Sequence, residues 1–330
     1  MAATDLDLLA IGNAIVDTLL HADDEFLIQH GLAKGTMTLV DAARADQLYQ
    51  ASGSGIESSG GSAANTAAGF ALMGGRSAFI GRVANDQFGG VFRHDIRANG
   101  VEYETDSAKD GSPTGRCLVF VTPDAHRTMQ TYLGASIELG PEDIDEAQVK
   151  RAKILYLEGY LWDPPKAKVA FLKAADLAHA AGRKVALTLS DPFCVERHRD
   201  EFRQLVENHV DILFANEAEI CALWQTPDFD NAATITRQKT PLAVLTRSEK
   251  GSVILAGKQA FSVQAAPVDH VVDTTGAGDQ YAAGFLFGLA TGRRLDSCAR
   301  IACLTAAEVI SHYGARPVTT LTDQVMARFS

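Results

Sequence analysis

Short apolar runs alternate along this chain with longer stretches whose small and apolar residues recur at helical spacing. Residues 7–15 (DLLAIGNAI) form an apolar run closed by a polar turn, which predicts a buried strand. Residues 24–30 read as a helix, 36–40 as a short strand and 42–51 as a helix. Residues 60–73 open on glycines, continue through small residues and stop at Gly74-Gly75, as a helix with a glycine end does. Residues 77–83 are strand-like again. In the second half, strands are predicted at 154–157, 185–189, 212–214 and 242–246. Helices are predicted at 167–180, 280–290 and 297–311. Strands that alternate with helices imply a mostly parallel sheet covered on both faces.

Two regions, about 16–40 and 101–135, break this rhythm with short β-like pieces and turns. Residues 115–121 and 127–133 fit a hairpin around Thr122-Pro123-Asp124-Ala125. They are expected to form a small β lid over one end of the sheet; a plain surface excursion is the alternative. No internal repeat, low-complexity tract or linker interrupts the chain. Residues 1–330 are therefore expected to be a single domain with a discontinuous lid.

Composition narrows the function classes. An apolar fraction of 46% in 330 residues is ample for a core. A net charge of −11 repels phosphate backbones, so nucleic acid is not an expected partner. The first residues, MAATDLDLLAIG, carry acid where a secretory signal carries base, and no apolar stretch approaches the ~18 residues of a membrane span. The expected location is cytoplasmic. The five cysteines never form C-x-x-C and read as reduced thiols.

The strongest local signal is Asp273-Thr274-Thr275-Gly276-Ala277-Gly278-Asp279, directly before an apolar helix. A helix start leaves backbone N–H groups without partners, and its dipole attracts negative charge. Gly276 and Gly278 let a bulky anion approach the backbone. Such a cradle suits a nucleotide γ-phosphate, and Asp279 is placed to take the proton of an attacking hydroxyl. Helix capping is the plainer reading, although it accounts for one acid and not for both acids and both glycines. The second signal, Gly60-Gly61-Ser62-Ala63-Ala64-Asn65-Thr66-Ala67, is another glycine turn at a helix start. Asn65 has the donors and acceptor to grip sugar hydroxyls, while close packing of a small-residue helix explains the segment equally well. The third is Asn216-Glu217-Ala218-Glu219, after a strand, where ligands bind in open α/β sheets. Asn216 and Glu219 suit magnesium-bound water, or a helix cap. Asp17 follows the first strand and suits vicinal hydroxyls, or a solvated turn. Asp86 reads as a cap or turn acid. Arg127, in the lid, can reach phosphate or solvent. No G-x-x-x-x-G-K-[ST], G-x-G-x-x-G, H-E-x-x-H or G-x-S-x-G pattern appears, which argues against P-loop, dinucleotide, zincin and α/β-hydrolase chemistry.

GGSAANTA at 60–67 and DTTGAGDQYAAGF at 273–285, in this order, resemble the two signatures of the PfkB (ribokinase-type) carbohydrate kinase family. GRVANDQFG at 81–89, NEAE at 216–219 and TRSEKGS at 246–252 are similar to further family patterns, so the resemblance spans essentially the whole chain. It implies a ribokinase-like α/β/α sandwich with a β lid, and ATP-dependent phosphorylation of a hydroxyl. It implies Asp279 as catalytic base, and Gly276, Ala277 and Gly278 as an anion hole. Asp17, Gly61, Ser62, Asn65 and Arg127 would bind the acceptor; Asn216, Thr246 and Gly251 the nucleotide. Glu219 and Asn216 would organise Mg2+ through water. Asp273 and Thr275, with the stretch from Gly314 to Arg316, would form a monovalent-cation site, K+ being the expected activator. Residues 131–136 (TYLGAS), ILYLEGYLWD and LSDPF are similar to the family's adenosine kinase branch, which implies adenosine as acceptor, with Tyr160 or Phe193 stacking on its base or buried in the core. A ribokinase, fructokinase or keto-deoxy sugar acid kinase is the near alternative, and a silent nucleotide or sugar sensor the distant one. Lids in this family pair into homodimers, and Val119 and Val121 are candidate exposed lid residues.

Overall fold

The computed structural model describes residues 4–108, 111–124 and 126–319, so Ala125 of the anticipated hairpin turn lies outside the described residues. The strands in chain order are β1 (Leu6–Ile11), β2 (Ile15–His21), β3 (Met37–Leu39), β4 (Gly55–Gly60), β5 (Ser77–Ile80), β6 (Val101–Glu102) and β7 (Thr114–Val121). They continue with β8 (Arg127–Gly134), β9 (Ala152–Glu158), β10 (Lys184–Thr188), β11 (Ile212–Asn216), β12 (Leu242–Thr246), β13 (Ser252–Ala256) and β14 (Gln259–Val263). Nine form one sheet in the order β14-β13-β12-β11-β10-β9-β1-β5-β6. It is parallel from β12 to β6, and the β13–β14 hairpin adds an antiparallel edge.

Alternation along β1 shows how the layers form. Leu9 and Ile11 join a core with helices Pro165–Ala180, Arg199–Asn208, Glu217–Trp224 and Phe229–Lys239. Leu8 and Ala10 join the opposite core, with helices Ser62–Leu72, Gln87–Ala98, Ala277–Ala290 and Leu295–Val309. Successive side chains point to opposite faces, so a strand covered on both sides is apolar throughout. This is the expected α/β/α sandwich. Among the described residues, no helix is long and apolar enough to cross a membrane.

The other five strands form a second, small sheet in the order β3-β8-β7-β2-β4. Residues 7–15 were expected as one strand, but the chain divides them between the two sheets. It leaves the large sheet at Gly12, where a Cβ would stand 2.3 Å from Glu158 Oε2 and 2.7 Å from Ala63 Cβ. That narrow passage ends β1, and Asn13 is held there by Glu158. The small sheet also recruits β4, whose polar sequence GIESSG carries no strand signal of its own. Leu20, Leu118 and Phe120 pack under helices Asp24–Gln29 and Ala42–Ala51 on its outer face. Val119 and Val121, expected as exposed lid residues, are instead buried at 6% exposure with Cys117, Ile15, Leu19 and Met129 on the other face. β7 is the central strand of this sheet, and side chains of the flanking β2 and β8 enclose its valines.

Candidate active site

Two helices begin beside each other on glycines in the left-handed region. Helix Ser62–Leu72 starts after Gly61 at φ +102°, where a Cβ would stand 2.1 Å from Asn13 O. Helix Ala277–Ala290 starts after Gly276 at φ +76°, where a Cβ would stand 2.5 Å from Ala315 O. Only glycine takes both turns without strain. A Cβ on Gly278, by contrast, would meet nothing within 4 Å. Open space therefore lies over the positive end of a fourteen-residue helix, the arrangement that accommodates an anion. The Ala277 amide is turned back onto Thr274 O at 3.2 Å.

Asp279, in the first turn of that helix, is partly accessible and held from the other one. Its Oδ1 accepts the Ser62 hydroxyl at 2.6 Å and its Oδ2 accepts Asn65 Nδ2 at 3.2 Å. Burial raises its pKa above the ordinary carboxylate value, while the Ser62 and Asn65 hydrogen bonds and the Arg316 charge pull it down. Gln280 locks the two helices together by donating from Nε2 to Asn65 O at 3.1 Å and to Ala315 O at 3.0 Å. Asp17 reaches the same place from β2 of the small sheet. Its carboxylate lies against Gly60, where a Cβ would stand 2.3 Å from Asp17 Oδ2. Burial raises Asp17 to about 6; Arg316 lowers it, Asp279 raises it and Arg127 lowers it. The crevice thus lies where the small sheet meets the large one.

Sequence reasoning did not single out Glu158 or Asn13. Glu158, 1% exposed at the end of β9, accepts Asn13 N at 2.9 Å, Asn13 Nδ2 at 2.7 Å and Ala63 N at 2.7 Å. Burial pushes its pKa up to about 7, against these three hydrogen bonds. It pins the glycine-led helix start and the crossing between sheets. Its signal was an acid inside the otherwise apolar ILYLEGYLWD.

On the far side of Asp279, Asn216 ends β11 and caps helix Glu217–Trp224. Asn216 Oδ1 accepts Glu219 N at 2.8 Å, and Glu219 returns bonds to Asn216 N at 2.9 Å and Nδ2 at 2.6 Å. This capping box satisfies both residues locally. Glu219 is also 5% exposed, and burial raises it to about 7, with Asp191 adding repulsion. Glu217 next to it pairs with Arg247 and Lys250, whereas Glu219 and Asp191 have no ion-pair partner among the described residues, a donor set that a hydrated divalent cation fits. Thr246 ends β12, paired in register with Asn216. Gly251, at φ +85°, turns the chain into β13, and a Cβ there would stand 2.0 Å from Val263 O. A cleft of about 390 Å3 lies between Pro267, Val268 and His270 on one side and Leu304, Ala307 and Glu308 on the other.

Arg127, on β8 of the small sheet, crosses to the loop before the anion cradle. Its Nη2 lies 2.5 Å from Asp273 Oδ2, and its Nη1 donates to Thr275 Oγ1 at 3.1 Å. Asp273 also accepts Thr275 N–H at 3.0 Å and Gly314 N–H at 3.1 Å. The two side chains expected at a monovalent cation are thus already engaged by a guanidinium. Asp86 caps helix Gln87–Ala98 and also binds Thr114. Phe193 is 70% exposed and Tyr160 37%, so neither belongs to the core.

Comparison with known proteins places this geometry. The chain matches the pfkB family carbohydrate kinase model over residues 36–321. It is similar to the crystal structure of adenosine kinase from Sinorhizobium meliloti, with 51% identity, 98% of this chain and 99% of that one covered, and a TM-score of 0.91. It is also similar to a probable sugar kinase from Rhizobium etli CFN 42, with 49% identity, 98% of each chain covered and a TM-score of 0.92. Adenosine kinase of Saccharomyces cerevisiae is 27% identical over 314 residues, covering 88% of this chain and 90% of that protein. The two glycine-led helix starts that meet at Asp279 are thus set in a chain that belongs to the PfkB family of carbohydrate kinases, and it is an ATP-dependent kinase.

Proposed function

We propose that the protein transfers the γ-phosphoryl group of ATP to the 5′-hydroxyl of adenosine, with Asp279 as general base. The observation that carries the reading is the Asp279 carboxylate, held by Ser62 and Asn65 beside the open face of Gly278. The acceptor hydroxyl gives its proton to Asp279 as its oxygen bonds to the γ-phosphorus. The bond from that phosphorus to the β-phosphate oxygen breaks, and ADP leaves with the electron pair. Amides at Gly276 and Gly278 would face the charge on the moving group, and that of Ala277 would join them only on leaving Thr274 O. Asp17, Gly61, Ser62 and Asn65 hold the ribose. Asn216, Thr246 and Gly251 border the nucleotide, whose base takes the cleft beside Pro267 and Leu304. Glu219 and Asn216 would hold Mg2+ through water, and the ion would supply charge neutralisation at the phosphates. The adenosine kinase relative at 51% identity supports the acceptor.

The small sheet acts as the lid, and Arg127 closes it onto Asp273 and Thr275. K+ is the proposed activator, and comparison of turnover in KCl and NaCl tests it. A homodimer through the lid would use Met37, Leu39 and Ile56, which are 46%, 56% and 71% exposed. The proposed compartment is the cytoplasm, where thiols stay reduced.

The second reading, a sugar acceptor, is favoured by the sugar kinase relative at 49% identity. Coupled ADP release with MgATP decides between them, using adenosine, inosine, ribose and fructose. Turnover with adenosine alone is expected; turnover with ribose or fructose replaces the acceptor and keeps the base. Asp279→Asn should lower kcat by roughly 10²- to 10⁴-fold. Undiminished turnover in that variant removes the assigned base.

A further inference from the structure

We propose that Arg316 is a positioning residue of the acceptor site, fixing the Asn65 amide so that its NH2 group faces Asp279. The inference rests on Asp279 as general base. Arg316 follows Gly314-Ala315 in the loop after helix Leu295–Val309, and its side chain is 12% exposed. Its Nε donates to Asn65 Oδ1 at 3.1 Å, and its Nη1 donates to Asp95 Oδ2 at 2.9 Å. Asn65 then donates from Nδ2 to Asp279 Oδ2. An amide has one accepting end and one donating end. Turned over, Asn65 would set N–H against the guanidinium and a carbonyl oxygen against the Asp279 carboxylate. Both contacts would be repulsive. A guanidinium carries no lone pair and keeps its proton at every working pH, so the orientation is set in one sense.

Arg316 is itself held in place. Asp95, on helix Gln87–Ala98, accepts the Ser59 amide at 2.8 Å and the Ser59 hydroxyl at 2.6 Å. Ser59 lies at the end of β4, immediately before Gly60-Gly61. One guanidinium therefore ties together the C-terminal loop, the Asn65 helix and the small sheet. A planar fork reaches two acceptors on separate elements; a lysine ammonium on a single stem does not reproduce that geometry. Asp17 from β2, Tyr156 and Glu158 from β9 and Tyr160 beyond it also feel the charge of Asp279. Among these groups Arg316 is the cation acting on it. The signal in the sequence was a lone arginine after Gly314-Ala315. Nothing local relates it to a residue 251 positions away.

The test measures kcat/KM against pH for the acceptor that turns over, in Arg316→Met, Arg316→Lys and Asp279→Asn. Thermal melts and MgATP binding check folding in each variant. Arg316→Met should lower kcat/KM by about 10²-fold, the usual cost of a misplaced reacting group. Its acid limb should move to higher pH, because loss of the cation leaves the burial of Asp279 less opposed. Arg316→Lys should keep the limb near its original pH while still losing rate. A folded Arg316→Met enzyme with wild-type kcat/KM and an unmoved limb overturns the proposal. If that variant does not fold, wild-type kcat/KM at all pH in Arg316→Lys overturns it instead. Turnover that survives Asp279→Asn removes the base, and this inference with it. Loss of turnover there, beside wild-type Arg316 variants, removes this inference alone.

Discussion

Asp17 enters the crevice from a strand of the small sheet and Asp279 from a helix start, yet burial raises the pKa of both, Asp17 to about 6. An ionised Asp17 accepts from two vicinal hydroxyls; a protonated one loses that capacity. The acceptor KM should therefore rise as pH falls through about 6. Asp17→Asn should hold a raised KM that is flat from pH 5 to 8. A wild-type KM independent of pH in that range removes Asp17 from the acceptor site. The stability sign follows from the same shift. The folded state holds this proton more tightly than the unfolded state, whose value is 3.8. The contribution is full below 3.8 and is lost as pH rises through about 6. Asp17→Asn should accordingly melt higher than wild type at pH 8, and the gap should close near pH 4. At this scale Asp279, Ser62 and Asn65 were legible because each sits in a glycine-led helix start. Glu158 and Arg316 were not, because their partners lie 145 and 251 residues away.

Helices Ala277–Ala290 and Leu295–Val309 meet through glycine. At Gly284 a Cβ would stand 2.5 Å from Thr305 Oγ1 and 2.8 Å from Ala302 Cα, so backbone must shift to admit it. Gly284→Ala should destabilise by roughly 1–3 kcal/mol, the usual cost of overpacking. A lowered denaturation midpoint checks this, and an unchanged midpoint refutes the close contact. Helix Ala42–Ala51, capped by Asp41, and strand Leu242–Thr246 end where the sequence pattern ends. Helices Gln87–Ala98 and Arg199–Asn208 were not placed. Each buries residues at helical spacing (Gly89, Phe92 and Ile96; Phe202, Leu205 and Val206), and Phe88 and Val91 also pack against the core, so the period is present in the sequence and only the surface that covers it is not.

At the scale of the molecule, the decisive contact joins the small sheet to the loop before the anion cradle. The Arg127 side chain is 10% exposed and that of Asp273 2%. Breaking one partner of such a pair leaves a buried charge exposed to its own desolvation cost. Arg127→Met should therefore lower the melting temperature and loosen the lid, releasing ADP without a phosphorylated acceptor. Comparing ADP formed with acceptor phosphorylated reads that leak, and equal amounts refute the lid role. Burial of Val119 and Val121 moves any dimer contact to the sheet's edges. Light scattering of Met37→Glu and Ile56→Lys variants tests those edges.

The amino-acid sequence by itself determined the alternating strands and helices, the two glycine-led helix starts and the acid at position 279. Each depends on backbone constraints acting over a few residues. Tertiary structure decided what those starts face. It set Ser62 against Asp279 across 217 residues and Arg127 against Asp273. It also recruited β4 to the small sheet and turned Val119 and Val121 inward. Such contacts depend on how the two sheets stack, and no local periodicity encodes that stacking.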